Sequence, residues 1–171
     1  LAQILSGVDP DANLDLVREY ARRAKDAGAE LVVFPEAAMA SFATRSADVA
    51  QPLDGPWAHG VRDIARELGI AVVAGMFTPG SANRARNTLL AVDAAGALAA
   101  TYDKIHLFDA WGFTESRNVE AGDDAVMVTL GGVRFGLAIC YDVRFPELFK
   151  HLAEAGAEVI LVPTSWANGP G

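Results

Sequence analysis

Two stretches of this sequence echo one another. Residues 27–35 read Ala-Gly-Ala-Glu-Leu-Val-Val-Phe-Pro, and residues 155–163 read Ala-Gly-Ala-Glu-Val-Ile-Leu-Val-Pro. Each is a helix end, a glycine that stops the helix, an unbroken apolar run and a proline. An unbroken apolar run, unlike an alternating one, marks a strand covered on both faces. Two such units at opposite ends of one chain require an α/β arrangement in which both strands are sheltered by other layers. The repeat fits an internal pseudo-symmetry, and it also fits two unrelated helix-to-strand turns.

The segments between them fill in that outline. Asp9-Pro10-Asp11 opens a helix over residues 9–27, with Leu14, Val17, Ala21 and Ala24 on one face. A second helix over residues 56–68 buries Val61, Ile64, Ala65 and Leu68, and Gly69 ends it. Residues 1–5 are expected to be a short strand and residues 70–77 a buried one. Hairpins are expected at 87–93 with 97–103 and at 125–130 with 133–139, the second turning at Gly131-Gly132. Residues 39–53, 78–86 and 109–124 read as loops, 146–155 as a helix and 159–162 as a buried strand. Crossover helices mixed with hairpins give a mixed sheet with helices on one face and a second apolar face to bury elsewhere.

Composition removes several classes of function. The 171 residues make a single domain, 1–171, of ordinary size. The net charge of −8 is spread without a basic stripe, which argues against nucleic acid as a partner. No apolar run approaches the roughly 20 residues of a membrane span, so no membrane partner is expected. One cysteine cannot form an internal disulfide, and a reducing cytoplasm is the default location. His59, His106 and His151 lack ligand spacing, and no metal site is expected. The sequence starts without Met and ends in Trp-Ala-Asn-Gly-Pro-Gly without a closing element, which reads as a fragment incomplete at its C-terminus.

The lone cysteine sits where chemistry is usually done. Phe135, Leu137 and Ile139 alternate with smaller residues in a strand running into Cys140, and Pro146-Glu147 open the next helix. A thiol at such a corner is a candidate nucleophile, and the nearby helix terminus is expected to favour its thiolate. Glu36 follows a buried strand directly, an address where a partly desolvated carboxylate acts as a base. Lys104 follows the strand ending Tyr102-Asp103; alternation puts Tyr102, Lys104 and His106 on one side, where a fixed positive charge can meet an oxyanion. Glu115 lies in the long loop, in Gly-Phe-Thr-Glu-Ser. Asp109, Glu120, Asp123 and Asp124 read as solvated. His106 offers a rival Cys–His pairing, whereas His151 falls on an outward helix face.

Taken together, these segments resemble the carbon–nitrogen hydrolase (nitrilase) superfamily. Phe34-Pro35-Glu36 resembles its glutamate motif, residues 102–109 its lysine motif and residues 140–148, Cys-Tyr-Asp-Val-Arg-Phe-Pro-Glu-Leu, its cysteine motif. Residues 113–116 and 162–166 match the loop of a second glutamate and the strand that follows. The wording around Cys140 is closest to the Nit-type amidases, which resemble ω-amidase and deaminated glutathione amidase. The resemblance implies a four-layer α-β-β-α sandwich, a homodimer or higher homo-oligomer, and neither metal nor organic cofactor. It implies hydrolysis of a small linear amide to an acid and ammonia through a thioester on Cys140, with Glu36 as proton shuttle. Lys104 and the N–H of Tyr141 would hold the oxyanion, and Glu115 would position Lys104 or the amide. Arg144 is expected to pair with a substrate carboxylate or else to form a structural ion pair with Glu147 or across a dimer interface, and Trp166 to line the substrate pocket. An N-carbamoyl amide hydrolase and a catalytically silent binding subunit are the alternatives.

Overall fold

The structure, a computed structural model, describes residues 1–166. Helix α1, Pro10–Asp26, begins where the Asp9 carboxylate accepts the Asp11 N–H at 3.0 Å. It ends at Ala27, followed by Gly28 at φ +82°, a conformation that suits glycine. Strand β1, Leu31–Val33, then pairs in parallel with β2, Ala71–Pro79. The short helix α2, Ser46–Val49, and helix α3, Pro56–Leu68, lie between them in sequence. Strands β3, Ala85–Val92, and β4, Leu98–Asp103, add on antiparallel, giving the sheet order β1-β2-β3-β4.

A second sheet follows. Strands β5, Val126–Leu130, and β6, Val133–Leu137, form a hairpin through Gly131 and Gly132, both at positive φ. A 3-10 turn, Cys140–Arg144, leads into helix α4, Pro146–Glu154, and strand β7, Val159–Leu161, returns parallel to β6. The two echoing segments thus hold equivalent places. Each ends a helix, turns at a positive-φ glycine (Gly28, Gly156) and enters a three-residue strand parallel to its neighbour at a sheet edge.

The apolar clusters define four layers. Val17 and Ala21 of α1 and Val61, Ile64 and Ala65 of α3 pack on Val72, Ala74 and Met76 of β2. The other face of the first sheet, with Val73, Leu89, Ala91 and Tyr102, packs on Val128, Leu130, Phe135 and Leu137 of the second. Leu148 and Leu152 of α4 cover the far side. The order is helices, sheet, sheet, helix, the α-β-β-α sandwich. Truncating one fully buried side chain such as Ile64 costs about 2–5 kcal/mol.

Five local expectations need correction. The stretch 39–53 is not all loop, because it holds helix α2, and strand β7 is not buried along its length, because at the sheet edge Val159 is exposed and Ile160 half-buried. Residues 1–5 are not a strand. Ala2 and Ile4 do turn inward and Leu1 and Leu5 outward, but a single bond, Ala2 N–H to Val33 O at 2.9 Å, replaces a ladder. The loop expected over 78–86 is shorter, because β2 and β3 stay paired as far as Pro79 with Ala85. The alternation beyond β4 holds through Lys104 and fails at Ile105, which packs inward once the ladder has ended. Residues 167–171, the close of the sequence, lie outside the described residues.

Candidate active site

The ends of β1, β4 and β6 converge at one end of the space between the sheets. Beyond β1, Phe34 N–H donates to Val73 O at 2.8 Å, and Gly75 N–H to Pro35 O at 3.2 Å. The turn carrying Glu36 therefore rides directly on β2. A β-carbon at position 75 would fall 1.7 Å from the Glu36 carbonyl oxygen, so only glycine permits this approach. Lys104 is fixed by its main chain: its N–H donates to Asn87 O, and its carbonyl accepts from Gly122 N–H, each at 2.9 Å.

The side chains then meet. Lys104 Nζ lies 3.0 Å from Glu36 Oε1 and 2.9 Å from Glu115 Oε2, all three buried. Glu115 opens the 3-10 turn Glu115–Arg117, and its Oε2 also accepts the Phe108 N–H at 2.6 Å. Glu36 Oε2 accepts the Ser165 N–H at 3.0 Å. The half-buried Cys140 thiol feels the charges of both Glu36 and Lys104. Cys140 itself sits at φ +46°, rare for a residue with a side chain, and its N–H donates to Pro163 O at 3.0 Å. The next amide, Tyr141 N–H, donates to no group among the described residues.

Burial governs the protonation states. It pushes the Glu36 carboxyl up, against the pull of Lys104 and with the help of Glu115. Burial alone would lower Lys104, but Glu36 and Glu115 outweigh it and the ammonium is held above its usual range. Burial, then the Glu36 charge, pushes the Cys140 thiol to about 12, with Lys104 opposing. This direction runs against the expected preference for a thiolate.

His106 does not join this cluster. Its Nδ1 lies 2.7 Å from Asp142 Oδ1 and its ring stacks on Phe145 at 3.7 Å, while Glu36 and Lys104 are the groups acting on the thiol. His151 is exposed. The Tyr141 ring meets Phe108 edge-on at 5.0 Å. Arg144 is exposed and forms no ion pair among the described residues, so the expected alternative of a bond to Glu147 is not made. Trp166 is exposed. Glu120 is not simply solvated: it accepts from Ser81 and Arg86.

Two buried polar residues, one inside the cluster and one beside it, were given no role by the sequence reading. Asn87, fully buried, donates from Nδ2 to Glu36 Oε1 at 2.9 Å and to Glu115 Oε1 at 3.4 Å. Asp142, also fully buried, binds Ile139, Tyr102 and His106. Neither follows from a period or a strand end. The signal for Asp142 was its place two residues after the lone cysteine.

With this geometry in hand, relatives give it a context. The family described as carbon-nitrogen hydrolase matches residues 1–170. A protein named only as a hydrolase in Mycobacterium tuberculosis is 56% identical, over 100% of this chain and 62% of its own length. The deaminated glutathione amidase of Escherichia coli O157:H7 is 34% identical, over 94% of this chain and 62% of that protein. The chain thus spans 62% of the length of these curated relatives. Among solved structures, an amidase of the nitrilase superfamily from Nesterenkonia sp. AN1 has a TM-score of 0.84 at 30% identity, covering 98% of this chain and 64% of that one. One structure of that amidase shows covalent addition of the acetamide moiety of fluoroacetamide at its active-site cysteine. The matching fold, the match along the chain and the shared identity place the chain in the carbon–nitrogen hydrolase (nitrilase) family.

Proposed function

We propose that the protein hydrolyses the carbon–nitrogen bond of a small linear amide by way of a thioester on Cys140. One observation carries the reading: the buried carboxyl–ammonium pair of Glu36 and Lys104 acts on the half-buried Cys140 thiol, three groups from distant parts of the sequence. Glu36 takes the thiol proton as sulfur attacks the amide carbonyl. Negative charge moves to the carbonyl oxygen, where Lys104 Nζ and the unengaged Tyr141 N–H receive it; one such donor is typically worth about 2.7–4 kcal/mol of barrier. The C–N bond breaks as Glu36 passes its proton to nitrogen, and ammonia leaves. Water then attacks the thioester, its proton goes to Glu36, and the carboxylic acid departs with the thiol restored. Glu115 keeps Lys104 charged and aimed throughout.

For substrate, the deaminated glutathione amidase relative and the exposed Arg144, which makes no ion pair among the described residues, favour an amide that bears a distant carboxylate, with Arg144 as its partner and Trp166 at the pocket wall. A panel of ω-amides of dicarboxylic acids, read as ammonia release, tests the activity. Mass spectrometry after quenching is expected to find an acyl adduct on Cys140. A panel without ammonia release, or adducts elsewhere, overturns the reading. Arg144→Ala is expected to raise KM for carboxylate-bearing amides alone; an unchanged preference removes Arg144 from the pocket.

A further inference from the structure

Three carboxylates are buried among the described residues, and two of them, Glu36 and Glu115, share Lys104. The third, Asp142, has neither lysine nor arginine beside it. A carboxylate taken from water without such a partner persists only if its lone pairs are filled. Here they are. Oδ2 accepts from Ile139 N–H at 2.8 Å and from Tyr102 O–H at 2.7 Å. Oδ1 accepts from His106 N–H at 2.9 Å and lies 2.7 Å from His106 Nδ1, which is the protonated ring nitrogen if it donates. Burial and the Asp142 charge hold the Tyr102 phenol above its ordinary range, so it stays a donor.

These bonds run to two places that matter. Ile139 precedes Cys140, and Asp142 N–H returns a bond to Ile139 O at 3.0 Å. Main chain and side chain therefore close a ring around Cys140 at its φ of +46°. Tyr102 and His106 flank Lys104, two residues to either side. One carboxylate thus spans the turn that bears the thiol and the segment that bears the ammonium.

We propose that Asp142 is a positioning residue, clamping Cys140 in its left-handed turn and setting the sulfur against the Lys104 ammonium. This rests on the proposed roles of Cys140 and Lys104, and adds a group that meets neither substrate nor reacting atoms. Its donors can be removed singly. Tyr102→Phe deletes one hydroxyl at nearly constant volume. His106→Ala deletes the ring and keeps the N–H. Asp142→Asn turns one acceptor into a donor facing two donors.

The test uses the full chain and three readouts: kcat and KM for ammonia release, the rate of Cys140 alkylation by iodoacetamide, and the thermal midpoint. Tyr102→Phe and His106→Ala are each expected to lower kcat about tenfold with KM unchanged, the effect of losing one bond to a charged group. Alkylation should slow by a similar factor, and Asp142→Asn should lose more of both. If Asp142→Asn does not fold, the two single-donor variants decide. Parental kcat or parental alkylation in the folded variants, with only the thermal midpoint lowered, overturns the clamp. Slowed alkylation in a protein whose parent hydrolyses no amide upholds the clamp and removes the proposed function instead.

Discussion

Strands β3 and β4 carry one charge cluster on each face. Arg86 and Asn87 are consecutive, as are Asp103 and Lys104, so each pair sends one side chain each way. On the outer side Arg86 bonds Asp103 at 3.2 Å and Glu120 at 2.6 Å. On the inner side Asn87 and Lys104 bond Glu36 and Glu115. Both clusters join carboxylates to a cation, yet Glu120 in one and Glu36 in the other move in opposite directions. Hydrogen bonds from Ser81 and then Arg86 draw Glu120 down to about 2, whereas burial drives Glu36 up. Water makes the difference. Beside solvent, a partner only secures a charge that already exists; away from it, burial holds the acid above its ordinary range despite the same kind of partner.

The largest effect expected from the inner cluster is that of Cys140→Ala, which should abolish ammonia release with the circular dichroism spectrum unchanged. Residual turnover in that variant would break the assignment of this face to chemistry. Lys104→Met should come next. It leaves two buried carboxylates facing each other, and urea denaturation should show a loss of about 3–5 kcal/mol besides the lost activity. Gly75→Ala should push the Glu36 turn off β2, lowering stability by about 1–3 kcal/mol and kcat more than KM. The pH dependence sharpens the comparison. Glu36 must be ionised to accept the thiol proton, so kcat/KM should fall as pH falls through a pKa above the ordinary 4.5. Glu36→Gln removes a charge that raises the thiol, so its thiolate absorbance should titrate below the parent's value of about 12. Arg86→Gln, on the outer face, should change stability by less than about 1 kcal/mol and leave kcat alone. A large loss of turnover there would mean that the two faces are coupled through the strands.

What could be read from the sequence follows the same division between local and distant causes. Glu36, Lys104 and Cys140 each close a strand that its apolar run announces, and their motifs occur in order, so the layers and the three positions were legible. Glu115 was visible only through the resemblance, because its burial comes from Lys104 and from the Phe108 N–H that folds the loop back. Asn87 was hidden. Mid-strand polar residues ordinarily face water, and nothing near it shows that two acids converge on its other side. The thiol was misjudged for a related reason. The terminus of a turn is a local property that favours thiolate, but burial, and after it the charge of a carboxyl group 104 residues away in sequence, pushes the thiol the other way. The missing strand at residues 1–5 shows the limit of alternation: it set which side chains face inward, and could not supply a ladder.

Ser165 N–H reaches Glu36 across 129 positions of sequence. During vectorial synthesis, domains begin to organise from the N-terminal side as the chain emerges. The acid is made early and the thiol late, and the amide that fixes the acid's second oxygen is made later still. A nascent chain halted before that point holds Glu36, Lys104 and Cys140 but not the bond from Ser165 to the Glu36 carboxylate. That one hydrogen bond to Glu36 therefore waits for a residue made after the whole of β7.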